Sequence, residues 1–132
     1  VKIELNIGLD VKGSANTQTQ RTERARKALD IIRAAGLRYQ VERLASQYED
    51  NDGVAHLEDT LVVEVDVPPI GGERTINALA YQICIEIEQE CIAVYNYVRQ
   101  RGELIGPNAS SWGSFDINFF RFYSEAALPR AA

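Results

Sequence analysis

The stretch ICIEIEQECIAVYNYV, residues 83–98, decides what this chain can fold into. Ile83, Ile87, Cys91, Val94 and Val98 recur at helical spacing. A single helix through all of them would run to about 25 residues, twice the usual length. Its last turns would be crowded with Ile, Val and Tyr, whose side chains lose rotamer freedom in a helix. Ending the helix near Gln89 removes both difficulties. CIAVYNYV then becomes a strand, with Ile92, Val94 and Val98 on one face and Cys91, Ala93, Tyr95 and Tyr97 on the other.

The rest of the chain supplies partners for that strand. Val1, Ile3, Leu5, Ile7, Leu9 and Val11 alternate with polar or small residues, the period of a strand with one buried face. After the loop GSANT, Thr17 and Gln20 have the form of a capping box, and Ala25, Ala28, Leu29 and Ile32 make a helical stripe that Gly36 closes. Leu37, Tyr39 and Val41 resume alternation to about Glu49, with Leu44 out of phase, which predicts a bulge near Glu42 and Arg43. EDNDG is a turn signal. Leu57, Leu61, Val63, Val65 and Val67 then line one strand face, with Glu58, Thr60, Val62, Glu64 and Asp66 on the other, and Pro68 and Pro69 end it. Ile76, Leu79, Ala80, Ile83 and Ile87 stripe the second helix.

The order strand, helix, strand, strand, helix, strand predicts an α+β, ferredoxin-like βαββαβ fold: an antiparallel sheet with both helices on one face. At 132 residues the chain suits one domain. Residues 1–100 are expected to form the core, and 101–132 an extension packed on the core or on a neighbouring subunit. This fold hosts unrelated functions and by itself assigns none.

Charge and composition narrow the classes. The formal charge of −5, from 19 acids against 14 bases, disfavours a nucleic-acid partner. No apolar run is long enough to cross a membrane, and the first residues lack the form of a signal peptide, so a cytoplasmic location is expected. Met is absent, so a start residue is expected to have been removed. Cys84 and Cys91 are expected to be separate, buried thiols.

Local motifs are weak. His56 has no second His or Cys at ligand spacing and reads as a turn residue. YEDNDGVAHLED places Tyr48 where a calcium loop needs Asp, so a hairpin turn is preferred. Gly71 and Gly72 lack the residues of a phosphate loop, GLDVKGSANT reads as a connection before an anion site, and the sequon at Asn108 has no secretion signal behind it. The basic residues of the first helix, among them Arg21, Arg24, Arg26, Lys27 and Arg33, pair with acids such as Glu23 and Asp30. No catalytic residue, metal ligand set or cofactor is indicated.

The most informative expectation concerns the sheet face away from the helices. Glu4, Asn6, Glu64 and Asp66 should cluster there, beside Tyr95, Tyr97 and Arg99, as a candidate binding surface. Six of the eleven aromatic residues, Trp112, Phe115, Phe119, Phe120, Phe122 and Tyr123, then fall within the extension and need something to pack on. The leading expectation is a non-catalytic interaction or regulatory module, homo-oligomeric or bound to a protein partner through those rings. The alternative is a small-molecule-binding protein or enzyme with a pocket between the open face and the C-terminal segment. There Glu64 or Asp66 would act as acid or base, and Arg99 would hold an anionic group. A further alternative is a mobile-element protein acting on a nucleic-acid machine.

Overall fold

The computed structural model describes residues 1–49, 54–107 and 114–116. The elements run β1 (Lys2–Gly8), α1 (Gln18–Ala34), β2 (Arg38–Glu49), β3 (Ala55–Asp66), α2 (Gly72–Ile87), β4 (Ile92–Asn96), β5 (Arg101–Ile105) and β6 (Ser114–Asp116). They form one antiparallel sheet in the order β2-β3-β1-β4-β5-β6. The predicted α+β fold is present, and β5 and β6 lengthen its sheet with residues assigned from sequence to the extension.

The helix-to-strand switch falls where steric crowding requires it. α2 ends at Glu88, which takes a left-handed conformation at φ 60, and the amide of Gln89 donates back to the Cys84 carbonyl at 2.9 Å. β4 begins four residues later and pairs with β1, Leu5 opposite Val94. At the other helix, Thr17 Oγ1 accepts from the Gln20 amide while Gln20 Oε1 accepts from the Thr17 amide, both at 3.2 Å. Gly36 follows that helix at φ 73, as its position predicts.

Ile3, Leu5, Ile7, Val63, Val65 and Ile92 from the sheet meet Ala28, Ile32, Ile76 and Ile83 from the helices, each at most 1% exposed. This single layer of contact is the core. Two local expectations are corrected. β2 and β3 pair without interruption from Arg38↔Asp66 to Glu49↔Ala55, so there is no bulge at Glu42 and Arg43. Leu44 simply sits opposite Thr60, on the face away from the helices. His56 lies in β3 opposite Tyr48, in a strand and not a turn.

Candidate active site

The open face carries the residues that alternation placed on it. Glu4 lies between Glu64 on one side and Tyr95 on the other, and Asn6 lies between Val62 and Ala93. Tyr95 is only 5% exposed, packs with Ala93 and Leu104, and its ring stands 6.3 Å from that of Tyr97. The carboxylates here have partners: Asn6 donates to Glu4 at 3.0 Å, and Lys2 pairs with Glu64 at 3.2 Å. Asp66 sits exposed at the end of β3.

Arg99 does not join this group. It pairs with Glu73 of α2 at 2.8 Å, and Asn96 donates to the other oxygen of the same carboxylate at 2.7 Å. These groups line a cleft of about 250 Å³ between the start of α2 and the end of β4. Of the expected interface residues, Phe115 falls in β6 opposite Gly102, whereas Trp112, Phe119, Phe120, Phe122 and Tyr123 lie outside the described residues.

The chemically distinctive group was not singled out from sequence. Glu58 lies on the open face at the far end of β3, six residues from Glu64, which at the rise of a strand is about 20 Å. Its carboxyl rests on the backbone of Gly8, where any Cβ would stand 2.0 Å from Oε1. Burial, reinforced by the nearby Asp10 carboxylate, pushes Glu58 up to about 7, against the pull of a hydrogen bond from the Asp10 amide. A carboxyl poised there both accepts and releases a proton at neutral pH.

Surrounding groups hold this end of the sheet in shape. Arg21 grips the Asp10 carboxylate at 2.6 Å. Arg24 donates to the Leu9 carbonyl at 2.7 Å and to Asn16 Oδ1 at 2.9 Å, while Asn16 Oδ1 also accepts from the Val11 amide. The GLDVKGSANT loop is thus bound to a guanidinium of its own helix, and its Asn and Ser face a cation. Arg43 of β2 reaches Asp59 at 2.8 Å and Thr22 of α1 at 3.1 Å. Arg26 bridges Glu23 and Asp30 on the outer side of α1. The basic first helix therefore spends much of its charge organising the fold.

Both thiols are unsuited to nucleophilic work. Burial pushes Cys84 up to about 12 and Cys91 up to about 11, with Cys91 adding to the effect on Cys84 and Glu90 and Glu58 adding to that on Cys91. Cys84 is buried and donates to the Ile105 carbonyl at 3.3 Å, whereas Cys91 is only half-buried, short of the burial expected of it. Among the described residues, no group of three His, Cys, Asp or Glu side chains is placed to hold a metal ion. No described helix is long and apolar enough to cross a membrane.

A family model for the S-adenosylmethionine lyase family matches residues 13–123. The chain belongs to that family. Membership of a family of enzymes overturns the expectation of a non-catalytic interaction module and the leaning against an enzyme. Among solved structures, the chain is similar to a phage SAM lyase in its apo state, with TM-score 0.51 and 15% identity over 87% of each chain. It is also similar to a phage SAM lyase in complex with S-methyl-5'-thioadenosine, with TM-score 0.50 and 17% identity over 87% of this chain and 88% of that one. At such identities the likeness shows a shared fold. No curated protein matches. In a lyase-family chain, the phase that puts Glu58 with Glu64 and Asp66 was the available signal. What the sequence alone did not weigh was Gly8 on the neighbouring strand, opposite Thr60, which lets the Glu58 carboxyl sink onto the sheet.

Proposed function

We propose that this protein cleaves S-adenosylmethionine, releasing S-methyl-5'-thioadenosine, and that Glu58 is the acting group of its site. Membership of the family across residues 13–123 carries the proposal, and the geometry at Glu58 supports it. The substrate class is a sulfonium that also bears an ammonium group. Glu58, once ionised, attracts such a cation, while the neighbouring Asp10 carboxylate is already paired with Arg21.

Cleavage breaks the bond from sulfur to the γ carbon of the amino-acid chain, and both electrons go to sulfur, which leaves as a neutral thioether. A lyase adds no water, so the electron pair that the γ carbon loses is restored from within the same fragment. Glu58 receives the cationic end of that fragment. Approach of a positive charge favours the ionised carboxyl, so binding converts the half-protonated group into the anion that holds the substrate.

Incubation of the protein with S-adenosylmethionine, followed by chromatography, tests this. The expected result is S-methyl-5'-thioadenosine formed by the wild type and at a rate lower by about 100-fold with Glu58→Gln, which removes the charge that holds the substrate. Absence of the thioether with the wild type would remove the proposal, and an unimpaired Glu58→Gln variant would remove the assignment of Glu58.

The Glu4, Asn6, Glu64, Asp66, Tyr95 and Tyr97 surface, at the other end of the face, we propose as a separate binding surface. Association of copies through the aromatic segment after Ile105 is likewise a proposal, carried by its composition. Sedimentation of the full chain as a monomer at all concentrations would remove it.

A further inference from the structure

The route by which the chain holds Glu58 in place runs through a residue far away in sequence. Gln89 donates from Nε2 to the Asp10 carbonyl at 2.7 Å, joining positions 79 residues apart. The amide of Asp10, which belongs to the preceding peptide unit, meets the Glu58 carboxyl. The other end of the Gln89 carboxamide, Oε1, lies 3.1 Å from the point where a Cβ on Gly8 would stand, the point that Glu58 Oε1 approaches to 2.0 Å. One glycine thus accommodates both side chains.

The backbone that delivers Gln89 is unusual. Glu88 is one of two described non-glycine residues at positive φ, and its left-handed turn directs the chain out of α2 while the Gln89 amide caps the Cys84 carbonyl. A helix one turn longer would carry Gln89 away from the sheet. The switch from helix to strand therefore also places a carboxamide over the end of β1.

We propose that Gln89 is a positioning residue for Glu58: its carboxamide pins the Asp10 carbonyl, which fixes the residue whose amide meets Glu58, and closes the Glu58 carboxyl off from water. This rests on Glu58 being the acting group. Among the described residues, titratable groups that face Glu58 include Asp10, itself gripped by Arg21, and Cys91.

The two ends of the carboxamide make opposite predictions for two substitutions. With Gln89→Ala the Asp10 carbonyl is released and water enters. Burial is the largest influence on Glu58, so its loss outweighs the weakened amide bond, and the titration midpoint falls by about one pH unit. With Gln89→Glu the shape is kept but a like charge replaces the amide, and the midpoint rises by a similar amount. A merely structural role moves both variants the same way or neither.

The experiment is a titration of the Glu58 side-chain carboxyl by carbon-13 NMR in the ligand-free wild type, Gln89→Ala and Gln89→Glu, assigned by loss of the signal in Glu58→Gln. The same variants are assayed for S-adenosylmethionine cleavage across pH. Midpoints displaced in opposite directions support the proposal, and midpoints unchanged in both variants overturn it. If Gln89→Ala does not fold, a rise in Gln89→Glu supports the proposal and its absence overturns it. Displaced midpoints with no cleavage by any form would sink the proposed activity and leave the positioning intact. Cleavage with an acid limb that ignores both substitutions would do the reverse.

Discussion

The carboxyl of Glu58 rests on the bare backbone of Gly8, at a distance that no other residue type at position 8 allows. The pairing is across strands: Gly8 stands opposite Thr60, two residues along β3 from Glu58. Because the open face offers only hydrogen at that position, a carboxyl can lie down on the sheet instead of standing up into water. Its raised affinity for a proton follows from that burial.

Gly8→Ala should test this contact directly. Gly8 is not among the positive-φ residues, so Ala fits the backbone, and the clash falls on the far end of a flexible side chain. The carboxyl is pushed outward while the fold survives. We expect at least a tenfold loss of cleavage activity and a Glu58 midpoint returned toward the ordinary carboxyl range. An alanine variant with unchanged activity and midpoint would show that the contact is incidental.

Glu58 also ties stability to pH. Its folded-state value of about 7 lies above the ordinary 4.5, so between these values the folded chain holds more of the proton than the unfolded chain does. The stabilisation is complete below the ordinary value and is lost as pH rises through about 7. The difference is at most on the order of 3 kcal/mol. Melting temperature should therefore rise as pH is lowered from 8 to about 5, and Glu58→Gln should flatten that rise. A variant with the wild-type slope would place the linkage elsewhere.

The thiols yield a third expectation. With Cys84 and Cys91 pushed up to about 12 and about 11, almost no thiolate exists near neutrality. Folded protein should resist iodoacetamide at pH 8 for many times longer than an exposed thiol, while both residues react once the chain is unfolded. Rapid alkylation of either in the folded state would contradict the raised values.

Much of the architecture was legible because alternation and capping leave local marks. Val1 to Val11 announced β1, Thr17 and Gln20 announced α1, and crowding by Ile, Val and Tyr located the end of α2. The bulge at Glu42 and Arg43 was misread because Leu44 was assigned by hydrophobicity, whereas it sits opposite buried Thr60 on the open face and keeps register. Arg99 was placed with the open-face residues, but the chain turns after Asn96 and Glu73 of α2 captures the guanidinium. Glu58, Gln89 and Asp10 belong to three segments that only the sheet brings together. No spacing along the chain encodes that meeting, so the polar face was predictable while the raised carboxyl at its end was not.

The loop between β1 and α1 offers a last test, because its shape depends on a single guanidinium. Arg24 donates to the Leu9 carbonyl, to Asn16 and, at 3.3 Å, to Ser14, while Leu9 itself is fully buried. Arg24→Met keeps the apolar stem and removes these donors, leaving the Leu9 carbonyl without this partner beside the core. The cost should be about 1–3 kcal/mol, read as a lower midpoint in urea at unchanged slope. Because Asp10 lies one residue beyond Leu9, the same variant should also disturb the amide that meets Glu58 and slow cleavage. Arg26→Met supplies the control: Arg26 bridges Glu23 and Asp30 in the open, where an ion pair adds little to stability. Equal losses of stability in the two variants would mean that Arg24, too, is only part of a solvated helix face.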